Sequence, residues 1–141
     1  MKRLKLGYED FDGLLSRAAK IVAQGTTSFH RKPGNGDLAK MKFLLIDEYQ
    51  DFSRLFDDLV QAIRCQNENV ILFCVGDDWQ AINGFAGADL KFFHEFEDRF
   101  TNAKRISIST NYRSCPEIVR LGNRLMQSFG GTASLASRTD A

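Results

Sequence analysis

Two apolar runs lacking polar alternation, residues 43–46 and 70–75, each stop abruptly at acids: the first at Asp47-Glu48, the second, past Gly76, at Asp77-Asp78. Runs of this kind predict strands of a parallel sheet covered on both faces, with the acids emerging at the carboxyl ends. A third run, residues 106–110, leads into Asn111-Tyr112-Arg113-Ser114 and predicts a third strand. Between the strands the period changes. Phe11, Leu14, Leu15, Ala18 and Val22 share one helical face, and Gly25 is a natural stop. Phe52, Leu55, Phe56, Leu59, Val60 and Ile63 repeat that spacing from a cap at Ser53, and Phe92, Phe93, Phe96 and Phe100 do so behind Asp89. Such phenylalanine stripes read as packing. Ser114-Cys115-Pro116-Glu117 has the form of a capping box with an early proline and launches a helix toward Ser128. Residues 26–40, with Pro33, Gly34 and Gly36, read as a loop or linker, and Gly130 onward as a frayed tail.

This alternation predicts an α/β fold of parallel strands joined by helical crossovers. The 141 residues suffice for one ordinary domain, and 43% hydrophobic with 26% charged residues is a globular composition. The net charge of +1 provides no broad electrostatic footprint for nucleic acid, so any such contact must be local. Cys65, Cys74 and Cys115 are odd in number and contain no Cys-x-x-Cys pair, which suits a reducing, cytoplasmic setting. His30 and His94 lack zinc-ligand spacing. No segment has the apolar length of a membrane span or a secretory leader.

In open α/β sheets ligands bind at the carboxyl ends of the strands, which is where Asp47 and Glu48 stand. A carboxylate such as Asp47 suits Mg²⁺, a hard cation that keeps several waters, and Glu48 beside it suits the deprotonation of a water attacking a phosphate. By themselves the two acids fit a solvated strand end better than a metal site. Gln80 fits a turn residue bonding its own loop, Arg113 a surface ion pair, and Phe85 a core side chain.

Joint occurrence sharpens the reading. Residues 43–51, Phe-Leu-Leu-Ile-Asp-Glu-Tyr-Gln-Asp, then Gly76-Asp77-Asp78-Trp79-Gln80 with the loop through Ala88, then Asn111-Tyr112-Arg113-Ser114 resemble motifs II, III and IV of the UvrD/Rep family of superfamily 1 DNA helicases, in family order. The Gly-Asp-Asp-Trp-Gln form looks most like the helicase IV branch. The segment Tyr8-Glu9-Asp10-Phe11-Asp12-Gly13-Leu14-Leu15 is similar to the acidic-aromatic stretch ahead of motif II, so the resemblance runs from about residue 6 to 128.

The resemblance implies ATP and Mg²⁺ as cofactors. In that reading Asp47 helps hold Mg²⁺, Glu48 activates water, Gln80 senses the γ-phosphate, Arg113 contributes a guanidinium to it, and Tyr112 packs on the adenine. Phe85 and Asn83 fall on the side of single-stranded DNA, Phe85 as a stacking ring. Asn83 stands where the family commonly has tyrosine, Ala86 where it has arginine, and Trp79 replaces a small acidic residue.

No stretch reads Gly-x-x-x-x-Gly-Lys-[Ser/Thr]; Lys32-Pro33-Gly34-Asn35-Gly36-Asp37 has its lysine before the glycines. The implied fold is a partial RecA-like domain lacking the phosphate-loop strand. Residues 1–110 would be the C-terminal half of the first motor domain and 111–141 the start of the second, with the rest of the motor as partner. The expected function is a piece of an ATP-dependent DNA helicase, in repair, recombination or replication, that does not turn over ATP alone. Two other readings stay open: a non-hydrolysing regulatory or interaction module, and the motor part of a helicase-nuclease.

Overall fold

Asp10 opens the first helix, α1 (Phe11–Ala23), by accepting a 2.7 Å hydrogen bond from the Gly13 amide, which satisfies one of the free donors of the first turn. The computed structural model describes residues 9–127 and 135–136. The helix stops at Gly25, whose φ of +93° is the left-handed conformation glycine adopts without cost. Gly25 N–H bonds to Val22 O and Thr26 N–H to Ile21 O, the paired bonds of a Schellman motif.

The chain divides into two units, residues 1–96 and 97–141. In the first, residues 26–40 fold as more than the expected linker. They form an antiparallel hairpin of β1 (Ser28–Arg31) and β2 (Gly34–Asp37), followed by one turn of 3₁₀ helix at Leu38–Lys40. Then comes a β-α-β unit: β3 (Phe43–Ile46), α2 (Arg54–Gln66) and β4 (Ile71–Cys74), with β3 and β4 parallel in the register Phe43↔Ile71 to Ile46↔Cys74. Ser53 is the N-cap of α2, as its position suggests, but its side chain makes no capping bond.

The core lies on one face of this two-stranded sheet. Val22 of α1 packs with Ala62 and Ile63 of α2, flanked by Leu38, Met41, Leu44 and Leu59. A second cluster joins Tyr49, Phe52, Val60 and Phe92 to Leu44, Ile46, Leu72 and Cys74. A fully buried Val, Ile or Phe in these clusters, such as Phe92, contributes roughly 1.5–3 kcal/mol of transfer free energy. The expectation of strands covered on both faces is not met. Successive strand residues point to opposite faces, so Phe43, Leu45, Ile71 and Phe73 share the other one, and they are 55–69% exposed. In α1 the buried stripe is Gly13, Ala19 and Val22, while Phe11 and Leu14 are exposed.

The phenylalanine stripe forms two short helices, α3 (Lys91–His94) and α4 (Phe96–Arg99), with Glu95 as the cap between them, where the spacing suggests one continuous helix. Phe92 is its anchor, 1% exposed.

In the second unit the expected strand over 106–110 is largely absent. Only Thr110–Asn111 forms a strand, β5, and it pairs in parallel with β6 (Leu135–Ala136) rather than joining β3 and β4. Ile106 and Ile108 are 85% and 86% exposed, because among the described residues no neighbouring strand pairs with their backbone or covers their side chains. Helix α5 (Pro116–Met126) starts with Pro116 in the first turn and with Cys115, one residue later than the capping-box reading, as N-cap. The expected tail from Gly130 lies outside the described residues except for β6.

Candidate functional site

The end of β3 sets the geometry of the acids. Asp47 Oδ1 accepts the Glu48 amide at 2.9 Å, a local bond that a short side chain with an acceptor oxygen can make. Glu48 has φ 52° and ψ 44°, left-handed backbone that a non-glycine residue occupies at a cost of about 1–3 kcal/mol. Glu48 thereby caps the 3₁₀ turn Tyr49–Asp51, whose Asp51 amide returns to Glu48 O at 2.9 Å. Both carboxylates remain exposed.

Gln50, 2% exposed, turns inward from that turn. Its Nε2 donates to Glu48 Oε2 at 2.7 Å, and its Oε1 accepts the Asp77 amide at 3.0 Å. The close approach depends on Gly76, where a Cβ would stand 2.8 Å from Gln50 Oε1 and 3.0 Å from both Gln50 N and Phe93 Cε2. Asp77 follows the end of β4 and caps the 3₁₀ turn Asp78–Gln80. Its Oδ1 accepts the Trp79 amide at 3.1 Å, and its Oδ2 accepts Gln80 Nε2 at 2.7 Å. The structure thus brings Asp47, Glu48 and Gln80 to one end of the parallel strands. Gln50 and Asp77 are the members that sequence reasoning passed over. Their signal was position alone, a glutamine two residues past the second acid and an acid opening a turn.

The loop beyond Gln80 is held separately. Asn83 Nδ2 donates to Asp51 Oδ2 at 2.7 Å, while Asp51 Oδ1 is buried without a hydrogen-bond partner among the described residues. Phe85, in the 3₁₀ turn Asn83–Ala86, is 90% exposed and Ile82 77%, so the core alternative for Phe85 does not hold. Trp79 is 42% exposed.

Tyr112 and Arg113 belong to the second unit. They lie in a turn made by Asn111, whose Oδ1 accepts the amides of Arg113 at 3.0 Å and Ser114 at 2.9 Å. Tyr112 is 77% exposed.

The sequence family described as the UvrD/REP helicase N-terminal domain matches residues 2–101. The chain belongs to the UvrD/REP helicase family. Over 122 residues it is 35% identical to DNA helicase IV of Escherichia coli K12, covering 86% of this chain and 16% of that protein. One component of an ATP-dependent helicase/nuclease from Lactobacillus helveticus is 35% identical over 136 residues, 89% of this chain and 11% of its own. An ATP-dependent DNA helicase PcrA of Staphylococcus epidermidis is 31% identical over 120 residues, 84% and 15% of the two chains. This UvrD/REP chain therefore spans 11–16% of the length of these relatives.

Among the described residues no three His, Cys, Asp or Glu side chains gather as a metal cage. Mg²⁺ at phosphate sites needs no such cage, being held by one or two carboxylates together with water and phosphate oxygens. Asp47, exposed and with one oxygen engaged by a backbone amide, fits that role in its donor chemistry. No helix among the described residues is long and apolar enough to cross a membrane.

Proposed function

We propose that this chain is an internal piece of an ATP-dependent DNA helicase of the helicase IV-like branch, whose parent couples ATP hydrolysis to translocation on single-stranded DNA in the cytoplasm. The observation that carries the reading is the bonded series Glu48–Gln50–Asp77–Gln80 at the carboxyl end of β3 and β4. It joins a general base to an amide suited to a phosphate oxygen. Residues 1–110 are then the later part of a RecA-like motor domain, and 111–141 begin the next.

Glu48 takes the proton of the attacking water, and Gln50, bonded to one carboxylate oxygen, leaves the other to receive it. Gln80 binds the γ-phosphate through its amide, and Arg113 offsets charge on the equatorial oxygens with its planar fork. Asp47 holds Mg²⁺, which supplies positive charge to the phosphates when bound. Tyr112 packs on the adenine. Phe85 stacks on a base, a contact worth about 1–3 kcal/mol and tolerant of sequence. Asn83 reaches DNA indirectly, by fixing through Asp51 the loop that carries Phe85.

ATP hydrolysis by the purified chain, with and without single-stranded DNA, tests this reading. The chain alone should show no turnover, since it contains no Gly-x-x-x-x-Gly-Lys-[Ser/Thr] loop. In a longer polypeptide that supplies the loop, turnover should be stimulated by DNA. There Glu48→Gln should keep nucleotide binding and lose hydrolysis by at least about 100-fold, the scale of general-base catalysis. Unchanged turnover in that variant removes the base assignment.

A further inference from the structure

Three hydrogen bonds run without a gap from Glu48 to Gln80: Gln50 Nε2 to Glu48 Oε2, Asp77 N to Gln50 Oε1, and Gln80 Nε2 to Asp77 Oδ2. The middle member is the unusual one. A glutamine with 2% exposure gives up water, which is costly unless both ends of its amide are bonded. Here the donor end serves an exposed carboxylate two residues back, and the acceptor end serves a backbone amide of a different segment, 27 positions on, so one side chain ties the local turn to a distant one. Glu48 also sits in left-handed backbone, a conformation that persists only where its surroundings hold it. Gly76 lies directly against the Gln50 amide, close enough that a Cβ there would displace it.

We propose that Gln50 is a positioning residue, whose two hydrogen bonds make the placement of the Glu48 carboxylate depend on the 76–80 turn that carries Gln80. This deepens the proposed function and rests on it for the roles of Glu48 and Gln80. A turn displaced at Gln80 pulls the Asp77 amide, the amide turns Gln50, and Gln50 redirects Glu48. The base is then aligned only when the phosphate-facing glutamine is in place. The backbone ladder ends at Val75, with Val75 N–H bonded to Ile46 O and Tyr49 N–H to Val75 O, and does not itself reach Asp77 or Gln80.

The test is a mutant cycle read by nuclear magnetic resonance on the 141-residue chain, following amide exchange at Asp77 and the indole resonance of Trp79, the sole tryptophan. Glu48→Ala should raise exchange at Asp77 by about tenfold, the worth of one hydrogen bond, and shift the indole. In a Gln50→Met background, which keeps volume but cannot bond, the same Glu48→Ala change should do neither. Gly76→Ala, whose Cβ would displace the Gln50 amide, should also uncouple the two when Glu48→Ala is compared with Glu48 in that same background, and serves if Gln50→Met fails to fold. The proposal is overturned if the Glu48→Ala effect persists in both backgrounds, if it is missing from the parent chain, or if Asp77 there exchanges as fast as an unstructured amide. None of these readouts uses nucleotide or DNA, so a failure of the helicase reading and a failure of the Gln50 link give different results.

Discussion

Glu48 shows at the residue scale how a candidate catalytic position holds its strain. Its left-handed backbone is stabilised by the Asp47 carboxylate on its amide, the Asp51 amide on its carbonyl and Gln50 on its side chain. Asp51 is held less completely, with one buried carboxylate oxygen lacking a partner among the described residues and the other bonded to Asn83. Asn83→Ala should therefore leave a partly buried carboxylate unpaired and lower stability by about 1–3 kcal/mol, measured by urea denaturation. Cys74 differs from the other cysteines: burial pushes its thiol up to about 11. At pH 8 it should alkylate with iodoacetamide much more slowly than the exposed Cys65 and Cys115, counted by mass spectrometry. A raised thiol value also means that its contribution to stability is complete at neutral pH and lost only as pH rises toward about 11.

Elements form here where their partners are within reach. Helix α2 was legible from its apolar spacing because α1 and the sheet supply the surface that buries Val60, Ala62 and Ile63. Its neighbour α1 depends on its stop signal. Gly25→Ala should cost about 1 kcal/mol by thermal denaturation, since a Cβ disfavours φ +93°. Equal phenylalanines have unequal weight. Phe92→Ala should destabilise by about 3–5 kcal/mol, whereas Phe85→Ala, at 90% exposure, should stay within about 0.5 kcal/mol. Residues 106–110 have the alternation of a strand but little of its structure. A strand needs a ladder as well as a pattern, and the described residues offer this segment a neighbour only at Thr110.

For the molecule as a whole, the consequential feature is the uncovered face of β3 and β4. A parallel pair is ordinarily buried on both sides, and here Phe43, Leu45, Ile71 and Phe73 meet solvent together. Net charge of +1 adds little repulsion between copies. The chain should self-associate at high concentration, and Leu45→Glu with Phe73→Lys should reduce this in sedimentation velocity. The pair keeps net charge unchanged and, as register partners, sets opposite charges side by side. Association unaffected by the pair would place the sticky surface elsewhere.

Residue order alone determined the strand at 43–46, the strand within the run 70–75, the helix after the acids and the stop at Gly25, because each depends on local periodicity or on a backbone preference carried by one or two residues. Tertiary structure decided the rest. Only pairing could show that this sheet has two strands and one bare face, since the same apolar run suits a covered or an uncovered strand. Only folding could bring Gln50 between Glu48 and Asp77, or Asn83 onto Asp51. These contacts join residues 27 and 32 positions apart, and no local rule of sequence encodes a hydrogen bond across that distance.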